Sequence, residues 1–123
     1  MNKYIKQNKK IESQNVNSKN DFSLPDEYKI SKKRLIQIIK KIDLRIFKKK
    51  GIKGETIENI IYLNIATHYK FKNLIFTFLH ECYHYIFPKA PHKYADKFAS
   101  YYIKDKDIFI ECSKKIGNLL IFK

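Results

Sequence analysis

Two histidines four residues apart enclose a glutamate in the run His80-Glu81-Cys82-Tyr83-His84. On a helix, residues four apart share a face, so His80 and His84 can both aim a ring nitrogen at one metal ion. Glu81 follows His80 by about 100° around the helix axis. From there its carboxylate can reach a water on that ion without being a ligand. Imidazole pairs suit Zn²⁺, and a carboxylate beside the ion's water serves as general base, so the chemistry of this pattern is hydrolysis. The competing reading is a core helix that carries two incidental histidines. Against it stand Phe76, Phe78, Leu79, Tyr83, Ile86 and Phe87, which make the stretch apolar on most sides. Two imidazoles and a carboxylate in such a helix are costly without partners, and a metal is the simplest partner.

A hydrolytic metal site needs a third protein ligand and an open fourth position. Seven residues separate His84 from His92, which stands beyond Pro88 and Pro91. The prolines end one helix and suit the start of the next, expected from His92 to about Lys104. His92, Ala95, Asp96 and Ala99 share one face of it. His92 is the candidate third ligand. Asp96, one turn on, is spaced to accept the outer N–H of a ligand histidine and fix its tautomer, or to be the oxygen ligand itself with His92 idle. Ala95 and Ala99 are small enough for this helix to approach the first closely. Glu111 is a reserve ligand, and Tyr94, Tyr69 and His68 are candidate donors to an oxyanion.

Other elements must hold this helix pair. Ser31 can cap a helix over Lys32 to about Lys41, with Leu35, Ile38 and Ile39 at helical spacing. Ile42, Leu44 and Ile46 alternate with polar residues and suit a strand. Lys48 to Glu55, with Gly51 and Gly54, reads as a turn, and Ile61, Leu63 and Ile65 alternate as a second strand, so the two are expected to pair as a hairpin. The motif helix is expected over Phe71 to Phe87. A last helix follows from Asp107, a cap candidate, to Phe122, with Ile108, Cys112, Ile116, Leu119 and Leu120 facing inward. Residues 1–22 are polar and lysine-rich and read as a flexible basic tail; residues 23–123 form one domain.

The chain has 123 residues, enough for one core. Its net charge of +14 comes with abundant Lys, Ile and Asn together, a combination that nucleotide bias in a genome also produces. The charge alone therefore does not argue for a nucleic-acid partner. Two cysteines make no disulfide framework. Cys82 points away from the histidine face and reads as a small apolar core residue. With no apolar leader and no run long enough to span a membrane, a cytoplasmic protein without membrane association is expected.

Ile60 to His84 (I-I-Y-L-N-I…L-I-F-T-F-L-H-E-C-Y-H), followed by Ala95-Asp96-Lys97-Phe98-Ala99, resembles the ImmA/IrrE-type zinc metallopeptidases. The resemblance covers roughly the middle half of the chain and implies an α+β, zincin-like domain: a short β-hairpin or sheet packed on helices, with the H-E-x-x-H run on a central helix. It implies that His80 and His84 ligate zinc, that Glu81 is the catalytic base, and that a protein, a repressor or regulator, is the substrate. The family's third ligand is a glutamate three residues before the alanine, where this chain has His92, a residue equally competent to bind zinc. Two alternatives stay open. One is a SprT-like protease acting on DNA-bound proteins, which would also use a histidine third ligand; the A-D-x-F-A segment argues against it. The other is a non-catalytic interaction domain whose zinc is structural.

Overall fold

In the computed structural model, residues 23–48, 51–67 and 70–121 are described. The basic tail expected over 1–22 lies outside them, as do His68 and Tyr69. The fold is α+β. It has four helices, α1 (Lys32–Lys41), α2 (Phe71–Ile86), α3 (His92–Tyr102) and α4 (Lys106–Ile121), and a three-stranded sheet of β1 (Asp43–Phe47), β2 (Gly54–Ile57) and β3 (Ile60–Asn64).

The local signals explain the helices. Ser31 caps α1, its side chain accepting from the Arg34 N–H. Leu35 and Ile39, one turn apart, are fully buried. Pro91 occupies the cap position of α3, where its missing N–H costs nothing. The cap of α4 is Asp105, whose carboxylate accepts from the Ile108 N–H at 3.1 Å. Asp107, the cap expected from sequence, lies inside the first turn instead. On the inner face of α4, Ile108, Cys112 and Ile116 are fully buried, but Leu120 is 38 % exposed, so the apolar stripe ends a turn earlier than its pattern suggests.

The sheet differs from the expected hairpin. β1 does not pair antiparallel with the next apolar strand; it runs parallel to β3, Leu44 opposite Ile61 and Ile46 opposite Leu63. The hairpin lies one element later, between β2 and β3, with Ile57 opposite Ile60 across the two residues Glu58 and Asn59. The stretch Gly54-Glu55-Thr56-Ile57 is too short and too polar to announce a strand, and Gly54 looks like a turn residue. It forms one because the edge of β3 opposite β1 offers unpaired backbone groups, and because a glycine lets the strand lie against α2. A Cβ on Gly54 would meet the Thr77 methyl on α2 at 2.9 Å and the Tyr62 carbonyl oxygen at 3.1 Å.

α2 is the central helix. Leu74, Ile75, Thr77, Phe78, Leu79, Glu81, Cys82 and Tyr83 are all buried. They join Leu35 and Ile39 of α1, Ile61 and Leu63 of β3, Ala95, Phe98 and Ala99 of α3, and Ile108, Cys112 and Ile116 of α4 in one core. At about 1.5–3 kcal/mol for each large side chain, this burial holds α2 in place. The buried Tyr83 hydroxyl donates to the Tyr28 carbonyl oxygen, tying the segment before α1 to the back of α2. Burial pushes that phenol up to about 12.

Candidate metal centre

His80 and His84 lie one turn apart on α2, and α3 brings His92 to them. His84 Nε2 is 3.1 Å from His80 Nε2 and 3.0 Å from His92 Nδ1. One ligand atom from each ring falls within a cluster 4.8 Å across. As α3 advances from His92 to Asp96, its contacts step back along α2 from His84 to His80, so the two helices run antiparallel. Fully buried Ala95 and Ala99 let them approach. The short link through Pro88 and Pro91 then sets His92 at the level of His84.

Asp96 contacts the outer side of the cluster. Its carboxylate oxygen Oδ1 is 2.8 Å from His80 Nδ1. An ionised carboxylate only accepts, so Nδ1 of His80 carries the proton and Nε2 presents a lone pair to the cluster. Of the two roles open to Asp96 in the sequence, the geometry gives it the contact with the outer nitrogen of His80.

Three ring nitrogens facing one another are poorly satisfied by hydrogen bonds. With Nε2 of His80 a lone pair, an N–H on His84 Nε2 serves His80 and leaves His92 Nδ1 without a linear partner. A lone pair on His84 instead faces the lone pair of His80. Charging a ring would change this, but burial first, and then the neighbouring His80 and His92, push the His84 pKa below its ordinary value; Asp96 opposes this more weakly. A cation among the three satisfies every lone pair at once. Donors about 2.0–2.1 Å from a tetrahedral ion stand about 3.3 Å apart, close to the spacings here. All-imidazole donors fit Zn²⁺ and other borderline divalent metals. His80 and His84 are half-buried and His92 is exposed, so the cluster opens to solvent on the α3 side.

Glu81 stands outside the cluster and is only 8 % exposed. Its partner is one that the sequence did not single out. Thr56 of β2 donates its hydroxyl to Glu81 Oε1 at 2.7 Å, and the same oxygen is 3.2 Å from the Glu81 carbonyl oxygen. A second missed residue, Asn64 at the end of β3, is fully buried. Its side chain donates to the Ile52 carbonyl oxygen at 2.7 Å and accepts from the Ala66 N–H at 3.0 Å, fixing the chain that leads into β2. The signal for Asn64 was a polar residue closing an apolar strand. Thr56 gave none, because its partner lies 25 positions away.

The remaining candidates lie elsewhere. The Tyr94 ring packs against Tyr28, centroids 5.6 Å apart. Glu111 on α4 is not part of the histidine cluster. Cys82 and Cys112 are buried free thiols, and burial raises both pKa values. No described helix is long and apolar enough to cross a membrane. The chain matches no family model, no curated protein and no solved structure.

Proposed function

We propose that the chain is a zinc-dependent endopeptidase acting on a protein substrate. The observation that carries the reading is the convergence of three imidazole nitrogens, from an H-E-x-x-H helix and its antiparallel neighbour, beside a buried carboxylate outside the cluster. His80 Nε2, His84 Nε2 and His92 Nδ1 would hold the ion and leave a fourth position toward solvent. Zn²⁺ bound there supplies a Lewis acid and draws the pKa of a water down toward neutral. Glu81 takes a proton from the attacking water and returns it to the leaving amine. Asp96 keeps Nε2 of His80 unprotonated and holds the ring's orientation. The resemblance to ImmA/IrrE-type peptidases points to a repressor or regulator as substrate.

Metal analysis of the purified protein by mass spectrometry, beside hydrolysis of fluorescein-labelled casein, tests this. One zinc per chain is expected, lost in His84→Ala and His92→Ala. Glu81→Gln should keep the metal and lose about 10²–10⁴-fold in turnover, the usual worth of a general base. A protein that takes up no zinc after reconstitution would end the reading. Zinc retained with no turnover by wild type would favour a non-catalytic interaction domain.

A further inference from the structure

β2 is an edge strand, short and polar, yet it makes two close approaches to the centre of α2. Gly54 and Thr56 are two apart and so face the same side of the strand. At Gly54 the backbone approaches so closely that a Cβ would lie 2.9 Å from the Thr77 methyl. At Thr56, one turn further along α2, the hydroxyl sits 2.7 Å from the Glu81 carboxylate and 3.2 Å from the Glu81 carbonyl oxygen. The glycine sets the distance, and the threonine fills it.

We infer that Thr56 is a positioning residue for Glu81, holding its carboxylate in one orientation. This rests on the peptidase reading, in which Glu81 handles the proton of the attacking water. The Thr56 O–H donates to Oε1 at 2.7 Å, and its oxygen lies 3.2 Å from the Glu81 carbonyl oxygen, so one hydroxyl from β2 touches both the side chain and the backbone of that residue. With Oε1 held by Thr56 the carboxylate does not turn freely, and its other oxygen is the one left to take a proton from the water and pass it to the leaving amine. A side chain without a hydroxyl at position 56 would leave the carboxylate free to rotate.

Thr56→Val and Thr56→Ser test the inference. Valine keeps the shape and β-branching that suit a strand and removes only the hydroxyl; serine restores it. Three readouts are needed: zinc content, kcat and KM on one quenched-fluorescent peptide found by screening a mixed peptide library, and the Glu81 side-chain carboxyl ¹³C resonance of the metal-free protein at fixed pH, assigned with Glu81→Gln. The expected result is one zinc in every variant, kcat lowered about 10–100-fold in Thr56→Val with KM within about twofold, and near wild-type turnover in Thr56→Ser; loss of one oriented contact to a catalytic group has this order of effect. The carboxyl resonance should move in the valine variant and return in the serine variant. Turnover that survives Thr56→Val, or a serine variant as impaired as the valine one, overturns the inference while leaving the peptidase reading intact. A wild-type protein that holds zinc but cleaves no peptide overturns both.

Discussion

The two helix pairs of this fold treat polar groups in opposite ways. Where α1 meets α4, the interior is purely apolar, with Leu35, Ile39, Ile108, Cys112 and Ile116 fully buried. Opposite charges close the rim: Lys32 Nζ lies 3.0 Å from Asp105 and 2.8 Å from Asp107. Where α2 meets α3, three like groups converge instead, and no arrangement of their own protons on neutral rings satisfies them all. The titration of the two sides differs accordingly. Hydrogen bonds to Asp107 and Asp105 raise the Lys32 pKa and favour its charge. Burial and two neighbouring imidazoles lower the His84 pKa and disfavour its charge. The first arrangement is complete within the chain. The second is not, and its three rings lie close enough together to bind a metal ion.

Substitutions should separate the two pairs. The largest effect on folding is expected on the apolar side. Ile116→Ala removes a fully buried side chain and should cost about 2–5 kcal/mol in a denaturant titration, with zinc stoichiometry of the folded protein unchanged. If it also strips the metal, the two pairs are not independent. On the site side, Asp96→Asn keeps the shape but weakens the hold on the His80 tautomer. A competition titration with a chelator should show zinc affinity lowered about 10–100-fold, with little change in the stability of the metal-free protein. An unchanged affinity would mean that Asp96 is only a surface partner of His80.

Acidification sharpens the same contrast. The His84 pKa is lower in the folded than in the unfolded chain, so the unfolded state takes up the proton first. Its contribution to stability is therefore present above about pH 6.5 and is lost as pH falls through the lower folded value. Protons also compete with zinc: below that folded value, each proton that must be displaced from a ligand lowers apparent affinity about tenfold per pH unit. Metal release followed by a chromogenic chelator should rise on acidification, while Lys32 and Asp107 stay paired to lower pH, since the hydrogen bond from Lys32 lowers the Asp107 pKa. The smallest effect is expected in the β2–β3 turn. Glu58 sits at φ +55°, a left-handed conformation that glycine adopts more easily. Glu58→Gly should raise stability by at most about 1 kcal/mol, measured as a shift in the thermal midpoint, with turnover unchanged.

The helices were largely legible because their signals are local. Ser31, Pro88 and Pro91 mark boundaries within a turn of the residues they affect, and α1 runs from Lys32 to Lys41 as its pattern predicts. Apolar spacing likewise identified α2 as buried. Strand pairing was not legible, since β1 could satisfy its backbone against either neighbour and nothing local distinguishes parallel from antiparallel pairing. Gly54 misled for a related reason. Its lack of a side chain is used for close packing on Thr77 rather than for a turn. Asp105 and Asp107 are both good cap residues two apart, and only the backbone path decides which one bends toward Ile108.

The sequence by itself determined the pairing of His80 with His84, because four residues on a helix make one turn and bring two side chains to one face. It also restricted the third group to a few nearby residues, since a seven-residue link through two prolines allows little but an antiparallel return. Tertiary structure decided the rest. It chose His92 rather than Asp96 to face the other two imidazoles and put Asp96 behind His80, a matter of helix rotation that packing on Ala95 and Ala99 controls. It also brought Thr56 to Glu81 across 25 residues of chain, a contact that no spacing rule contains because strand pairing and core packing, not helical periodicity, produce it.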